Sequence, residues 1–463
     1  MEEKGTKENK NFGSLSALVI GVDDKISVGE NFLYGLQHVL VLMLAPLVTP
    51  IIFASVFQWD ISITAYMMMI MLLGAGLETL VQAKVLKLPV AQAQHIVFIA
   101  AMIPAIYTVG PVITWLGLLI VSFVTILLVI PFKKGLIGRF LPFVATPVVL
   151  GPLFIVMAVS LAKASCVDLI FPPDYVNGGF VVDSGNLILA GIAIIIPLII
   201  SFFLPKGILR YASVLWGVLV AIIVAAFMGR IDFARVAEAP WFVSPKGFWV
   251  LFKDNMGRPL TISWSFIPVV LILFIAELSN VLDTMGCYQA TAGLVGQEMT
   301  TERANRGLFV ETLASFVSTI FGNIPCTSFS QNLGVLSLSR VGAKSIMVSG
   351  GIIMIFVGLF YKIGVFFSVV PWAIYGGALV VLFGTILVVG IQMVISMPMT
   401  ETNKLIVGFS SFMGIAFSFI PAEVYQRFPL FFSFFVGNPI GSTVVIAIIL
   451  NLIFVHALKS PGK

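Results

Sequence analysis

Runs of about twenty apolar residues follow one another from residue 33 to residue 457, joined by polar links. A run of that length lets an α-helix cross the hydrocarbon of a bilayer. In lipid every backbone N–H and C=O must be satisfied within the protein, which leaves helices as the form such runs can take. Counting them gives about fourteen candidate spans. The first seven are 33–56, 61–83, 88–108, 110–132, 140–161, 185–204 and 208–228; the next seven are 262–285, 303–322, 324–340, 343–367, 371–396, 403–421 and 431–457. With 59% hydrophobic and 10% charged residues, a soluble globular domain is excluded. The expected fold class is an all-α polytopic membrane protein.

Two of these spans make poor helices. Leu88-Pro89-Val90-Ala91-Gln92 and Ile324-Pro325-Cys326-Thr327 each open with an apolar residue before proline. Proline pushes its predecessor toward an extended backbone and has no N–H to donate. Cys326 to Phe329 favour strand or turn over helix. A polar patch follows in each case, Gln92, Gln94 and His95 in one and Ser330, Gln331 and Asn332 in the other. Each reads as a short strand feeding the N-terminus of a half-helix. The broken spans are the third and the tenth, matching positions in two seven-span halves, as an inverted repeat predicts. An odd number of spans per half makes the halves insert in opposite senses. Non-helical backbone at this depth survives where protein or a wet cavity satisfies it. A surface re-entrant loop without a ligand is the alternative.

Sorting lysines and arginines by side places most of the 26 in the short loops that share a side with the N-terminus. Five of those opposite lie in the single long loop 229–261, and long loops weigh little in this rule. Both termini are therefore expected in the cytosol, with 1–32 and 458–463 as tails. Met1–Lys10 is too polar for a cleavable signal. The three cysteines, Cys166 in the loop 162–184, Cys287 and Cys326, give neither a disulfide framework nor a zinc spacing. No basic run is longer than Lys133-Lys134, so no nucleic-acid surface is expected.

Charges inside spans are costly and are functional candidates. Glu277 follows the apolar half-span Ile267–Ala276, which sets it near mid-membrane in span eight. A carboxylate there can bind a polar substrate and carry a coupling proton; pairing with a neighbouring helix is the bland role. Asp283 lies nearer the cytosolic end, off the face of Glu277, as a gate or cap acid. Glu311, about two turns into span nine, suits a brace for the irregular backbone. Glu78 reads as reaching the interface or pairing with Lys84. His38, after Gln37 in span one, reads as a hydrogen-bonded brace, and His95 borders the expected cavity. There is no GxSxG, HExxH or Walker A sequence and no metal spacing, so neither an enzyme, a cofactor nor an ATP-driven pump is expected. A polar midplane site between broken helices is the logic of a secondary transporter.

Gln331-Asn332-Leu333-Gly334 followed by Ser339-Arg340 resembles QNxGxxxxTR, the signature of the nucleobase–ascorbate transporters, also called nucleobase:cation symporters of the uracil and xanthine permease type. Gln37-His38, Leu88-Pro89 with Gln92, Ala276-Glu277, and Pro371 with Gly376-Gly377-Ala378 resemble further motifs of that family in the right order, covering about residues 33–396.

The resemblance implies fourteen spans in two inverted repeats, with short β-strands in spans three and ten. A core domain would comprise 33–132 and 262–367, and a gate domain 133–228 and 368–457, separated by the external loop 229–261. The gate would carry a homodimer contact in the cytoplasmic membrane. Coupling would be to protons, or sodium in some members. By position, Glu277 would bind the nucleobase and couple to the proton. Gln331, Phe329 and Ser330 would contact the substrate, with Ile96 and His95 beside them; Asn332 and His38 would hold the site, with Asp283 and Glu311 in support. An amide such as Gln331 offers donor and acceptor in one plane, which suits a nucleobase edge. Gln at that position resembles xanthine and urate carriers, where uracil carriers have Glu. Against the family pattern, Ser339 replaces Thr, Glu311 replaces Asp, Val281 stands where a second polar group follows the span-eight acid, and His95-Ile96 stands in place of Ser-Phe. The expectation is proton-coupled import of xanthine or uric acid. A uracil or other nucleobase carrier, an anion transporter or motor of the same fold, and a non-transporting receptor or channel are the alternatives.

Overall fold

The computed structural model describes residues 18–133, 135, 146–172, 179–205, 210, 212–329, 332–421, 424 and 427–457. Helices dominate. α1 (Val28–Leu42) and α2 (Leu44–Phe57) run on as one apolar stretch of 30 residues. Its start is fixed by a capping box: Glu30 N–H donates to Ser27 Oγ at 3.2 Å, and Ser27 N–H donates to Glu30 Oε2 at 2.9 Å. α3 (Ile61–Val85) leads to β1 (Gln92–Gln94) and α4 (Val97–Val109), then α5 (Pro111–Val129). Next come α6 (Pro147–Ala162), α7 (Ser184–Phe203) and α8 (Ser213–Phe227). Two short helices, Phe233–Glu238 and Phe248–Leu251, lie within the long loop before α9 (Phe266–Leu294). α10 (Thr301–Ile320) precedes β2 (Cys326–Ser328) and the half-helix α11 (Asn332–Ser339). α12 (Ser345–Leu359), α13 (Tyr361–Ser368), α14 (Trp372–Ile395), α15 (Glu401–Ser418), α16 (Leu430–Gly437) and α17 (Pro439–Asn451) complete the order.

Among the described residues, six helices are long and apolar enough to cross a membrane, or seven if α12 and α13 count as one. This is a multi-pass membrane protein. Several expected spans are shorter or broken. α12 and α13, expected as the single span 343–367, meet at a 77° bend, where Trp241 C=O takes the Tyr361 N–H at 2.9 Å. The long loop before α9 thus satisfies an amide that a straight helix would have used. The last span, 431–457, breaks at Asn438, whose side chain caps α17 through Gly441 N–H. The loop 162–184 begins later than expected, because helical backbone continues through a π-turn at Lys163–Val167, with Cys166 buried, to Ile170. Span eight is longer than expected: α9 runs to Leu294, because its polar residues Thr284, Cys287 and Thr291 are buried in protein instead of facing lipid.

Packing follows small residues. α3 lies against α12 so closely that a Cβ on Gly351 would come within 2.7 Å of Gly76 C=O. α6 packs on α14, α7 on α8, and α10 on α5. At the start of the described chain, Val19 and Ile20 N–H donate to Arg340 C=O, Gly342 N–H donates to Ile20 C=O, and Lys344 pairs with Asp23. These bonds strap residues 19–23 onto the linker that follows α11.

Candidate functional site

The two short strands pair antiparallel, Gln92 with Ser328, Ala93 with Thr327 and Gln94 with Cys326. Two further bonds extend the ladder: Phe329 N–H donates to Ala91 C=O at 2.9 Å, and His95 N–H donates to Pro325 C=O at 3.1 Å. The proline before each strand explains why these stretches are extended, and the mutual ladder explains how extended backbone is tolerated here. α4 and α11 then start from the same two-stranded unit. The aligned peptide dipoles of the two half-helices make it a meeting point of two positive helix ends, although Phe98, Ile99 and Asn332 N–H bond back to the preceding turn.

Buried side chains hold the unit from behind. Gln92 N–H donates to Thr79 Oγ1 at 2.9 Å and Gln92 Nε2 to Ser328 Oγ at 2.9 Å. Gln94 Nε2 donates to Met71 C=O at 2.8 Å and to Asn323 Oδ1 at 3.1 Å. On the other strand, Asn280 Nδ2 donates to Cys326 C=O at 3.1 Å, and Cys326 N–H donates to Ser315 Oγ at 3.1 Å. Glu311 gathers three hydroxyls: Thr284 at 2.6 Å, Ser328 at 3.0 Å and Tyr288 at 3.3 Å. Thr284 Oγ1 in turn accepts the Ser328 N–H at 3.2 Å. Glu78, expected at the interface or with Lys84, is instead buried and accepts from Ser315 and Ser318. Its residue number along span two gave no hint that α10 would present two serines to it.

In front of the strands lies a cavity of about 750 Å³. Gln94, His95, Ile96, Thr327 and Phe329 form its wall at the strands, and Asp283 and Cys287 face it from α9. It extends to Arg210 and Gln392. His95 Nε2 and Asp283 Oδ2 are 3.1 Å apart, and both side chains are almost wholly buried. Asp283 is therefore a mid-helix group on the cavity, eleven residues before the end of α9, and not a cap near the cytosolic end.

The other candidates fall as follows. Glu277 is buried with Asn280 Nδ2 at 3.4 Å and Thr125 of α5 beside it, and it is not on the cavity wall. Asn332 opens α11, its N–H donating to Phe329 C=O at 3.1 Å. Its side-chain amide and buried His38 lie beside each other, outside close hydrogen-bond geometry. Ser330 and Gln331 lie outside the described residues. Cys287, Arg210 and Thr327 were not foreseen. Helical spacing could have found Cys287, one turn after Asp283; Arg210 had no local signal.

The fold recurs in a solved structure. The transmembrane domain of a cyanobacterium's bicarbonate transporter BicA superposes with a TM-score of 0.59 at 12% identity, covering 94% of this chain and 100% of that one. The family model Xan_ur_permease, described as "Permease family", matches residues 29–423. The chain belongs to this permease family. It is the family of the nucleobase–ascorbate transporters, whose signature residues 331–340 resemble, and its members are transporters, not enzymes. Among its relatives are the xanthine permease of Bacillus subtilis (strain 168), 27% identical with 92% of this permease and 94% of the relative covered, and the uric acid permease PucJ of the same organism, 28% identical with 91% and 92% covered.

Proposed function

We propose that this permease imports an oxidised purine, xanthine or uric acid, across the cytoplasmic membrane together with protons. The observation that carries the proposal is the cavity at the paired strands, where two half-helix N-termini meet and an acid and a histidine stand on the wall. A purine is flat and rimmed with oxo acceptors and N–H donors. Helix N-termini favour partial negative charge on oxo groups, and a carboxylate accepts from ring N–H groups. The names of the two relatives agree with this substrate class.

In this reading Asp283 takes the substrate and proton role that motif position gave to Glu277, because Asp283 faces the cavity and Glu277 faces α5. Phe329 and Ile96 give apolar faces to the ring, and Asn332 and His38 hold the start of α11; motif position alone assigns Ser330 and Gln331 to the substrate's polar edge. Glu311 braces β2. The chain would form fourteen spans with both termini in the cytosol. A core of 33–132 and 262–367 would move against a gate of 133–228 and 368–457, with the gate carrying a homodimer contact. Sodium in place of protons is the variant coupling. Anion transport is the second reading, favoured by the likeness to BicA in fold; a carboxylate on the cavity wall opposes it.

Uptake of radiolabelled xanthine into cells expressing the chain, with unlabelled urate, hypoxanthine, guanine, adenine and uracil as competitors, tests the reading. Uptake blocked by urate, spared by uracil and abolished by a protonophore is expected. Competition by uracil alone, or uptake indifferent to the protonophore, would overturn it.

A further inference from the structure

The His95–Asp283 pair has a property that a lone carboxylate lacks. His95 stands where its family pattern has serine, its Nε2 is 3.1 Å from Asp283 Oδ2, and its Nδ1 is buried without a hydrogen-bond partner among the described residues. His95 lines the cavity, and Nδ1, covered in this conformation, is the ring nitrogen left for a ligand that seats against it. A separation of 3.1 Å between a ring nitrogen and a carboxylate oxygen needs one proton between them. With that proton alone on the pair, Nδ1 keeps its lone pair and can only accept. A second proton places hydrogen on Nδ1. This holds whether the pair is then imidazolium with carboxylate or imidazole with carboxylic acid, because Nε2 and the carboxylate share one proton in both forms. One added proton therefore reverses the hydrogen-bond sense of the substrate-side atom.

We infer that the His95–Asp283 pair is the element that ties one proton to the substrate, by making His95 Nδ1–H a donor to an oxo oxygen or deprotonated ring nitrogen of the bound purine. The inference rests on the proposed purine transport. Its direction follows from symport: proton and substrate must each strengthen binding of the other. A substrate edge that donates to Nδ1 would expel the proton, so the edge facing His95 is an acceptor. The proton enters from water on the side where substrate binds and returns to water on the side where substrate leaves. Once it has left, the Nδ1 lone pair opposes the oxo lone pairs and the substrate is released. Other buried titratable or charged groups on the surrounding elements are Cys287, Tyr288 and Glu277 in α9, Cys326 in β2, Glu311 in α10, Glu78 in α3 and His38 in α1, with Arg210 ahead of α8. None of them hydrogen-bonds His95 among the described residues.

The test is xanthine binding to the purified full-length chain in lipid nanodiscs by titration calorimetry, from pH 5.5 to 9. Buffers of different ionisation enthalpy report protons taken up per xanthine. Wild type is expected to take up about one proton per xanthine at the alkaline end, with affinity falling roughly tenfold per pH unit there. His95→Asn retains an amide donor for the same oxygen but cannot titrate, and Asp283→Asn removes the carboxylate. In both, the slope and the proton count are expected to drop to those of the ligand's own ionisation. A wild-type slope and proton count retained in either variant overturns the inference while leaving purine transport standing. Failure of wild type to bind any purine overturns both.

Discussion

The two strand–helix units differ in how they are held. The first, β1 with α4, is held by amides: Gln92 and Gln94 reach out to Thr79, Ser328, Met71 and Asn323. The second, β2 with α11, is held by hydroxyls gathered on a carboxylate, with Glu311 collecting Thr284, Ser328 and Tyr288. α4 runs 13 residues and α11 only eight. The first unit also delivers the one ionisable side chain, His95, that its two half-helices place on the cavity wall among the described residues. Two solutions to the same problem of buried extended backbone therefore divide the labour: one brings chemistry to the cavity, and the other is anchored by charge behind it.

Breaking the second unit should cost most. Glu311→Ala removes the charged acceptor that three buried hydroxyls share, at about 1–3 kcal/mol each although Thr327, Gln92 and Gln82 remain as second partners, so xanthine uptake should fall at least about a hundredfold. The thermal midpoint in detergent should fall with it; an unchanged midpoint would show that the hydroxyls re-pair. Asp283→Asn comes next. Initial uptake rates should drop roughly thirtyfold through loss of a charged partner, whereas Glu277→Gln, away from the cavity, should stay within about threefold. The reverse ranking would return the substrate role to Glu277. Breaking the first unit with Gln94→Leu removes the amide that joins Met71 C=O to Asn323 Oδ1, leaving Asn323 Oδ1 with the Ile324 N–H alone, and should cost about 1–3 kcal/mol by denaturant titration, with roughly tenfold slower uptake.

The smallest effect lies outside both units. Asp183 caps α7 and accepts from Arg230 at 2.8 Å, and that hydrogen bond holds its carboxyl below the ordinary range. A depressed carboxylate stabilises above its unfolded value and loses this as pH falls through its folded value. Arg230→Gln should therefore lower the thermal midpoint slightly at neutral pH and converge with wild type in acid. Uptake should be unchanged, since the pair touches neither strand. Impaired uptake would extend the working machinery to the N-terminal end of α7.

Periodicity and proline placement made much of this legible. Apolar-Pro at 88–89 and 324–325, each followed by a polar patch, foretold both strands and both half-helices, because the cause is local backbone chemistry. Which acid faces the cavity was not legible. Glu277 and Asp283 share a helix, and the choice depends on the rotation of α9 between α5 and the cavity, a packing outcome that spacing along one helix does not specify. Glu78 was misread for the same reason, since its serine partners belong to α10. Short stretches of sequence decide backbone form, whereas the facing of a long apolar helix is decided by its neighbours.

The strap across residues 19–23 carries a consequence for assembly. Asp23 and Lys344 are 321 positions apart, yet they lock the linker directly after α11. During synthesis the early segment has no partner until residues 340–344 emerge, by which time both strands and helices α1 to α11 have been made. Closure of the strap is thus a late step that reports a finished strand pair. A cysteine pair engineered at positions 23 and 344 should cross-link only in chains whose half-helix has already docked.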